Sequence, residues 1–191
     1  MIIHGNRNFG YAPIVDGAFG NPVMVSGLVN MTVEVEQETS SIYADNVVFC
    51  NVKGAKVRTA TAGLRYVPAE YLEYLGFKQM QNDMLTDTGT YPNHCIFFET
   101  TEEDCSTGTV TYTLHYLYNV TGSEPTFEST TDEDEIEAQE IEVEYNAQSS
   151  TIALDEDGEG VQYAKITRTD ENGAWYDSFK TKVLLPTDSV N

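Results

Sequence analysis

FGNPVMVSGLVNMTVEVEQETSSIYADN (residues 19–46) and GLRYVPAEYLEYLG (residues 63–76) decide how this chain folds. The first opens with a turn at Gly20, Asn21 and Pro22 and then alternates. Met31, Val33 and Val35 fall on one side, and Thr32, Glu34 and Glu36 on the other. A period of two with one apolar and one charged side is the pattern of a β-strand buried on one face only. The second stretch is the clearest helix signal in the chain. Pro68 stands at a first-turn position, Glu70 near the positive end and Gly76 just past the last turn. A helix over residues 68–75 is too short to hold alone. Tyr71, Leu72 and Leu75 share the face that must pin it to a sheet.

Outward from this unit the chain reads as mainly β. Residues 1–17, rich in Gly and Asn, read as an N-terminal arm of weak local preference. The polar run 36–46 reads as a loop and VVFCNV at 47–52 as a buried strand. Residues 36–56 thus form a long inter-strand loop whose far end carries Lys53 and Lys56. A strand at 94–100, an acidic turn and a strand at 109–119 form a hairpin. Residues 140–145 (EIEVEY) set Glu140, Glu142 and Glu144 on one face against Ile141, Val143 and Tyr145 on the other. Residues 161–168 and 175–185 read as a last hairpin turned at Asp170, Glu171, Asn172 and Gly173. The expected fold is a β-sandwich or barrel of eight to ten strands with one short packed helix. Residues 18–150 make its domain, and residues 151–191 add a C-terminal strand pair, within that domain or as a small extension.

Composition limits the function. The 31 acidic and 10 basic residues give a formal net charge of −21. Residues 79–164 hold 20 of the acids and no Lys or Arg. Binding nucleic acid through its phosphates needs a clustered positive surface, which this chain lacks. The charge serves either solubility alone, repulsion of something anionic, or pairing of the chain's own basic and acidic ends between copies. Three cysteines without a C-x-x-C spacing point to a reduced protein with no disulfide framework. No signal-peptide core and no membrane-spanning run is present.

No catalytic, cofactor or metal site emerges. His4, His94 and His115 are scattered and read as packed or surface histidines. DEDGEG at 155–160 lacks the later bidentate Glu of a calcium loop. Glu102, Glu103, Asp104 and Cys105 mix hard and soft ligands in one turn. What remains is the row of carboxylates Glu34, Glu36, Glu140, Glu142 and Glu144. Like charges side by side need water or cations around them, so this face is either a plain solvated one or the lining of a wet, negative channel.

Phe19-Gly20-x-Pro22-Val23, the strand ending in acids, Ile42-Tyr43-Ala44-Asp45-Asn46, and then Val67-Pro68-x-Glu70 with Leu75-Gly76 resemble, in this order, the major tail proteins of long-tailed bacteriophages. The likeness is to those of phages and prophages of Gram-positive bacteria, and it covers residues 19–146. It implies a tail tube protein made in the host cytoplasm and built into the virion. Its inner sheet would join those of five neighbours into a continuous barrel, and hexameric rings would stack into a conduit for viral DNA. The implied partners are further copies, tape measure and tail terminator proteins, and DNA that passes without specific binding. On this reading Glu34, Glu36, Glu140, Glu142 and Glu144 face the lumen. The loop with Ile42, Tyr43, Asp45, Val47, Lys53 and Lys56 reaches the next ring and meets acids at 132–137 or 102–104. The competing reading is a β-sandwich adhesion or ligand-binding module, supported by the tyrosine-rich hairpin; an acidic mimic of nucleic acid is a weaker third.

Overall fold

The computed structural model describes residues 2–80, 82–129 and 139–189. Its strands are β1 (Ile2–Val15), β2 (Ala18–Phe19), β3 (Val23–Met24), β4 (Leu28–Ala44), β5 (Val47–Leu64), β6 (Phe77–Gln79), β7 (Leu85–Asp87), β8 (His94–Glu103), β9 (Val110–Gly122), β10 (Thr126–Phe127), β11 (Ile141–Ala147) and β12 (Tyr163–Thr167). Two helices are short: α1 (Ala69–Leu72), continued by a 3-10 turn at Glu73–Leu75, and α2 (Gly173–Asp177), continued at Ser178–Lys180. Among the described residues ten strands form one sheet in the order β2-β1-β8-β9-β11-β5-β4. β10 attaches to β11, β12 to β9 and β3 to β1, and β6 pairs with β7 apart from it.

The sheet curls until its ends approach. β3 pairs with β1 through Gly10 and Tyr11 and leads straight into β4. Phe9 and Tyr11 of β1 therefore share one core with Leu28, Met31 and Val33 of β4, together with Ile96, Phe98, Leu117, Val143 and Tyr145. Tyr71 and Leu75, both fully buried, plug this core from the helix. Pro68 precedes the helix and Gly76, at φ 97°, ends it, the two positions where these residues cost least. The opposite face of β1, β8 and β9 carries a second core, with Cys95, Phe97, Leu114, Tyr116 and Tyr118 lying under Ala153, Tyr176, Phe179, Val183 and Leu184. Seven successive residues of β8, from His94 to Thr100, are buried because both of its faces are covered.

Three expectations change here. The N-terminal arm is a 14-residue strand, β1. Its register shifts at Gly5 and again near Asn8, both at positive φ, so no clean alternation shows. Residues 36–56 are a β-hairpin and not a loop: Glu36 pairs with Val57, Ala44 with Val47, and only Asp45 and Asn46 turn, at φ 51° and 62°. Two successive left-handed residues make the tight turn that suits a hairpin's twist. Residues 175–185 do not pair with residues 161–168. β12 joins β9, and the chain then coils into α2, because Tyr176 and Phe179, three apart, must both dip into the second core.

Candidate assembly surfaces

β4, β5 and β11 run side by side and carry the acidic residues onto one face. The register sets Glu34 beside Thr59 and Asn146, Thr32 beside Thr61 and Glu144, and Asn30 beside Gly63 and Glu142, with Glu36 opposite Val57 in the next row outward. Cross-strand neighbours lie on the same face about 5 Å apart. Ala60, Ala62, Val143 and Tyr145 occupy the other face and are buried. Glu34, Glu36, Glu142 and Glu144 are exposed. Glu140 crosses Gly63 to accept a hydrogen bond from the Asn30 amide. A side chain at residue 63 would fill the space its carboxylate takes. All five carboxylates singled out in the sequence thus lie on one face, four of them exposed and Glu140 half-buried.

Beyond this patch β4 and β5 leave the body as a two-stranded ribbon. Every residue from Glu34 to Val57 is exposed except Cys50, which is half-buried. The segment 47–52 is therefore a strand as expected, yet not a buried one: Val47 is 63% and Phe49 74% exposed. Ile42 and Tyr43 stand out likewise, and Lys53 pairs with Thr39 and Lys56 with Gln37. From Glu36 to Ala44 the ribbon extends about 30 Å at ~3.3 Å per residue. An isolated two-stranded hairpin is marginal in water, and an exposed apolar surface of this kind marks an interaction site. Of the acids considered as its counterparts, Glu102, Glu103 and Asp104 lie toward the ribbon's own end of the body, where β8 turns into β9. Residues 132–137 lie outside the described residues.

The helix face is split. Tyr71 and Leu75 are fully buried, whereas Leu72 is half-buried. Around Tyr71 the core is polar in a way the sequence did not disclose. His94 sits among the rings of Tyr11, Tyr71, Tyr74 and Tyr145. Its Nδ1 donates to the Pro92 carbonyl at 2.9 Å, which leaves Nε2 as acceptor for the Tyr71 hydroxyl at 3.4 Å. The Tyr71 and Tyr145 hydroxyls bond at 2.8 Å. Burial drives the His94 pKa down to about 4 and pushes Tyr11 up to about 12. Burial, aided by the charge of Lys165, lowers His115 to about 4 as well.

A base whose pKa falls on folding holds fewer protons folded than unfolded between the two values. Stability is therefore complete above about pH 6.5 and is lost as the pH falls toward 4. Denaturant melts between pH 7 and pH 4 should show this decline, and His94→Gln should lessen it, leaving the share of His115; a wild-type midpoint that stays constant over this range would contradict the account.

A second buried polar group ties the ends of the chain together. Glu99, 2% exposed, accepts hydrogen bonds from Arg7 at 2.8 Å, from Asn8, and from the Tyr176 hydroxyl at 3.1 Å. The hydrogen bond with Glu99, reinforced by its charge, raises the Arg7 pKa, and the guanidinium stacks 3.7 Å over Tyr112. β1, β8 and α2 are thus fastened at one point. Tyr116 and Tyr118 are fully buried and stacked on each other. The aromatic hairpin is core, and the support it lent to an adhesion module falls away.

Among the described residues a curled β-sheet presents an exposed acidic face and an exposed ribbon with an apolar tip. A family model described as phage tail tube protein matches residues 1–190. The chain belongs to this family, the structural tail proteins of phages, and is a virion component. The match extends past residue 146 and takes in the C-terminal cover, which the resemblance in the sequence did not reach. Comparison with curated proteins gives no match.

Proposed function

We propose that this chain assembles into hexameric rings that stack into the tail tube of a long-tailed phage and enclose a channel for DNA ejection. The observation that carries this reading is the acidic face of β4, β5 and β11, exposed among the described residues and continuous with a ribbon whose side chains are exposed from Glu34 to Val57 apart from Cys50. The outer edge of β4 is unpaired along its length among the described residues. An edge this long invites a further strand, and closing a ring removes it. Turned inward, Glu34, Glu36, Glu140, Glu142 and Glu144 give a negative wall that repels phosphate, so the duplex slides without adhering. Six copies multiply that charge, while the threonines and asparagines between the carboxylates keep the wall wet.

The ribbon crosses to the neighbouring ring. Ile42, Tyr43 and Val47 supply most of the contact energy, because exposed ion pairs contribute only ~0–1 kcal/mol each. Asp45, Lys53 and Lys56 set register and direction. Assembly takes place in the host cytoplasm, with tape measure and tail terminator proteins as the further partners.

The test is to change Glu34, Glu36, Glu142 and Glu144 to Lys together. Their side chains are exposed, so virions should still assemble. DNA release triggered from such virions should slow at least tenfold and depend strongly on salt, as phosphate–lysine contacts do. Release at the wild-type rate would place these residues away from the DNA path.

A further inference from the structure

The ribbon leaves the body at the pair of Arg58 with Ala147, where β11 ends. Beyond it, among the described residues, Val47 to Val57 find strand partners in β4 alone, while β12 takes up the edge of β9. The β4–β5 hydrogen bonds hold these two strands to each other and not to the body. Each ~10° of swing at the junction would move a tip about 30 Å away by roughly 5 Å. Two ties from β12 meet the ribbon there. The Arg58 guanidinium lies over the Tyr163 ring, 4.3 Å from its centroid, and the Gln162 amide donates to the Lys56 carbonyl at 3.5 Å. The ring is held in turn from the body. Its hydroxyl bonds His115 Nδ1 at 2.7 Å, and His115 Nε2 bonds the Thr100 hydroxyl at 2.9 Å. A neutral imidazole donates from one nitrogen and accepts at the other, so both bonds form together. The imidazole also stacks on Phe98, 4.7 Å between centroids, and Phe98 and Thr100 are buried in β8.

We infer that Tyr163 is a pin that sets the direction of the ribbon: Arg58 seats on its ring, and His115 fastens the ring to the body. The inference goes beyond the tail-tube reading, because it concerns the single chain whether or not rings form. Arg58 and Tyr163 stand on β5 and β12, which do not pair with each other among the described residues, so their contact is no by-product of strand register. The Arg58 Nε is buried and finds no hydrogen-bond partner among the described residues. The ring face is what its guanidinium has in exchange. Behind the ring, His115, Phe98 and Thr100 give a backing in two central strands, β9 and β8. A pin at the junction acts with the whole length of the ribbon as its lever. Setting the direction within the subunit also removes that ordering cost from any association the ribbon makes. Arg58, Tyr163 and His115 are positioning residues in this account.

The chain carries its own probes for a test. Cys50 lies on the ribbon, half-buried, and Cys105 is exposed where β8 turns into β9, while Cys95 is fully buried and out of reach of a label. Nitroxides on Cys50 and Cys105 of the full chain, kept dilute as subunits, report the ribbon's direction by pulsed electron spin resonance. Wild type should give one narrow distance distribution. Arg58→Ala and Tyr163→Leu should each broaden it by about 5 Å or more, the swing of the tip for ~10° at the base. Tyr163→Phe keeps the ring under Arg58 but drops the bond to His115, and should fall between wild type and Tyr163→Leu. Arg168→Ala, which removes the ion pair with Asp177 and leaves the pin alone, should stay narrow. Hydrogen exchange in β8 and β9 should remain slow in Arg58→Ala, which separates a loosened ribbon from a loosened body. Where Tyr163→Leu fails to fold, Arg58→Ala decides. A distribution already broad in wild type, or one in Arg58→Ala as narrow as wild type's, would overturn the pin and leave the tail-tube reading standing. Wild-type protein with a narrow distribution that never forms tubes would uphold the pin and defeat the tail-tube reading.

Discussion

Cutting the ribbon back should abolish tubes without unfolding the subunit. The variant removes residues 41–51 and joins Ser40 to Val52, which already face each other across the hairpin, through a two-residue Asn-Gly turn. All the deleted residues except Cys50 are exposed, so their loss should shift the stability of the isolated chain by no more than about 0.5 kcal/mol. Assembly is a different matter. Ile42, Tyr43, Val47 and Phe49 are between 49% and 74% exposed in the single chain, and burying such side chains yields roughly 1.5–3 kcal/mol each. Repeated around a ring, their loss removes the main apolar contact between rings. Sedimentation should find single rings or subunits at concentrations where the wild type forms tubes. Full-length tubes from the shortened chain would sink the role given to the ribbon.

The second large effect concerns the helix plug. Leu75→Ala should destabilise the subunit by about 2–5 kcal/mol, the range for emptying a fully buried leucine site. Leu75 lies in the core with Tyr71, Val143 and Tyr145 and rests above Gly122, where a side chain on the strand would strike it. Leu72 belongs to the same helix but is only half-buried, so Leu72→Ala should cost about 1 kcal/mol. The contrast between the two is the informative part. Equal melting midpoints for Leu75→Ala and wild type would show that α1 is not docked in the core.

The contrast between Leu72 and Leu75 also shows what periodicity can tell. The short helix, its proline and glycine ends and its inward side were legible, because Pro68, Tyr71, Leu75 and Gly76 each answer to a local rule. How deep each leucine sits depends on Gly122 and Tyr145, which are distant in sequence. The acidic face was legible for a similar reason: strands with one dry face alternate, so Glu34 and Glu36 or Glu142 and Glu144 had to share a side. That these strands are neighbours with β5 between them came from the register alone.

The ribbon was misread because both of its faces are wet. With no core side to demand alternation, Glu36 to Ser41 carries the composition of a loop, while VVFCNV carries that of a buried strand although Val47, Val48, Phe49 and Val52 are exposed in the single chain. β1 was hidden by Gly5 and Asn8, whose positive φ breaks the alternation twice. The cage around His94 has no local signal at all, since Tyr11, Tyr71, Tyr74 and Tyr145 come from three separate elements.

The most direct measurement is a cryo-electron microscopy reconstruction of the purified chain after assembly. It should show a hollow tube of stacked six-fold rings, with Glu34, Glu36, Glu142 and Glu144 lining the channel and each ribbon crossing into the next ring. Isolated monomers under conditions that assemble tail tubes, or a tube bearing those four carboxylates on its outer wall, would contradict the account.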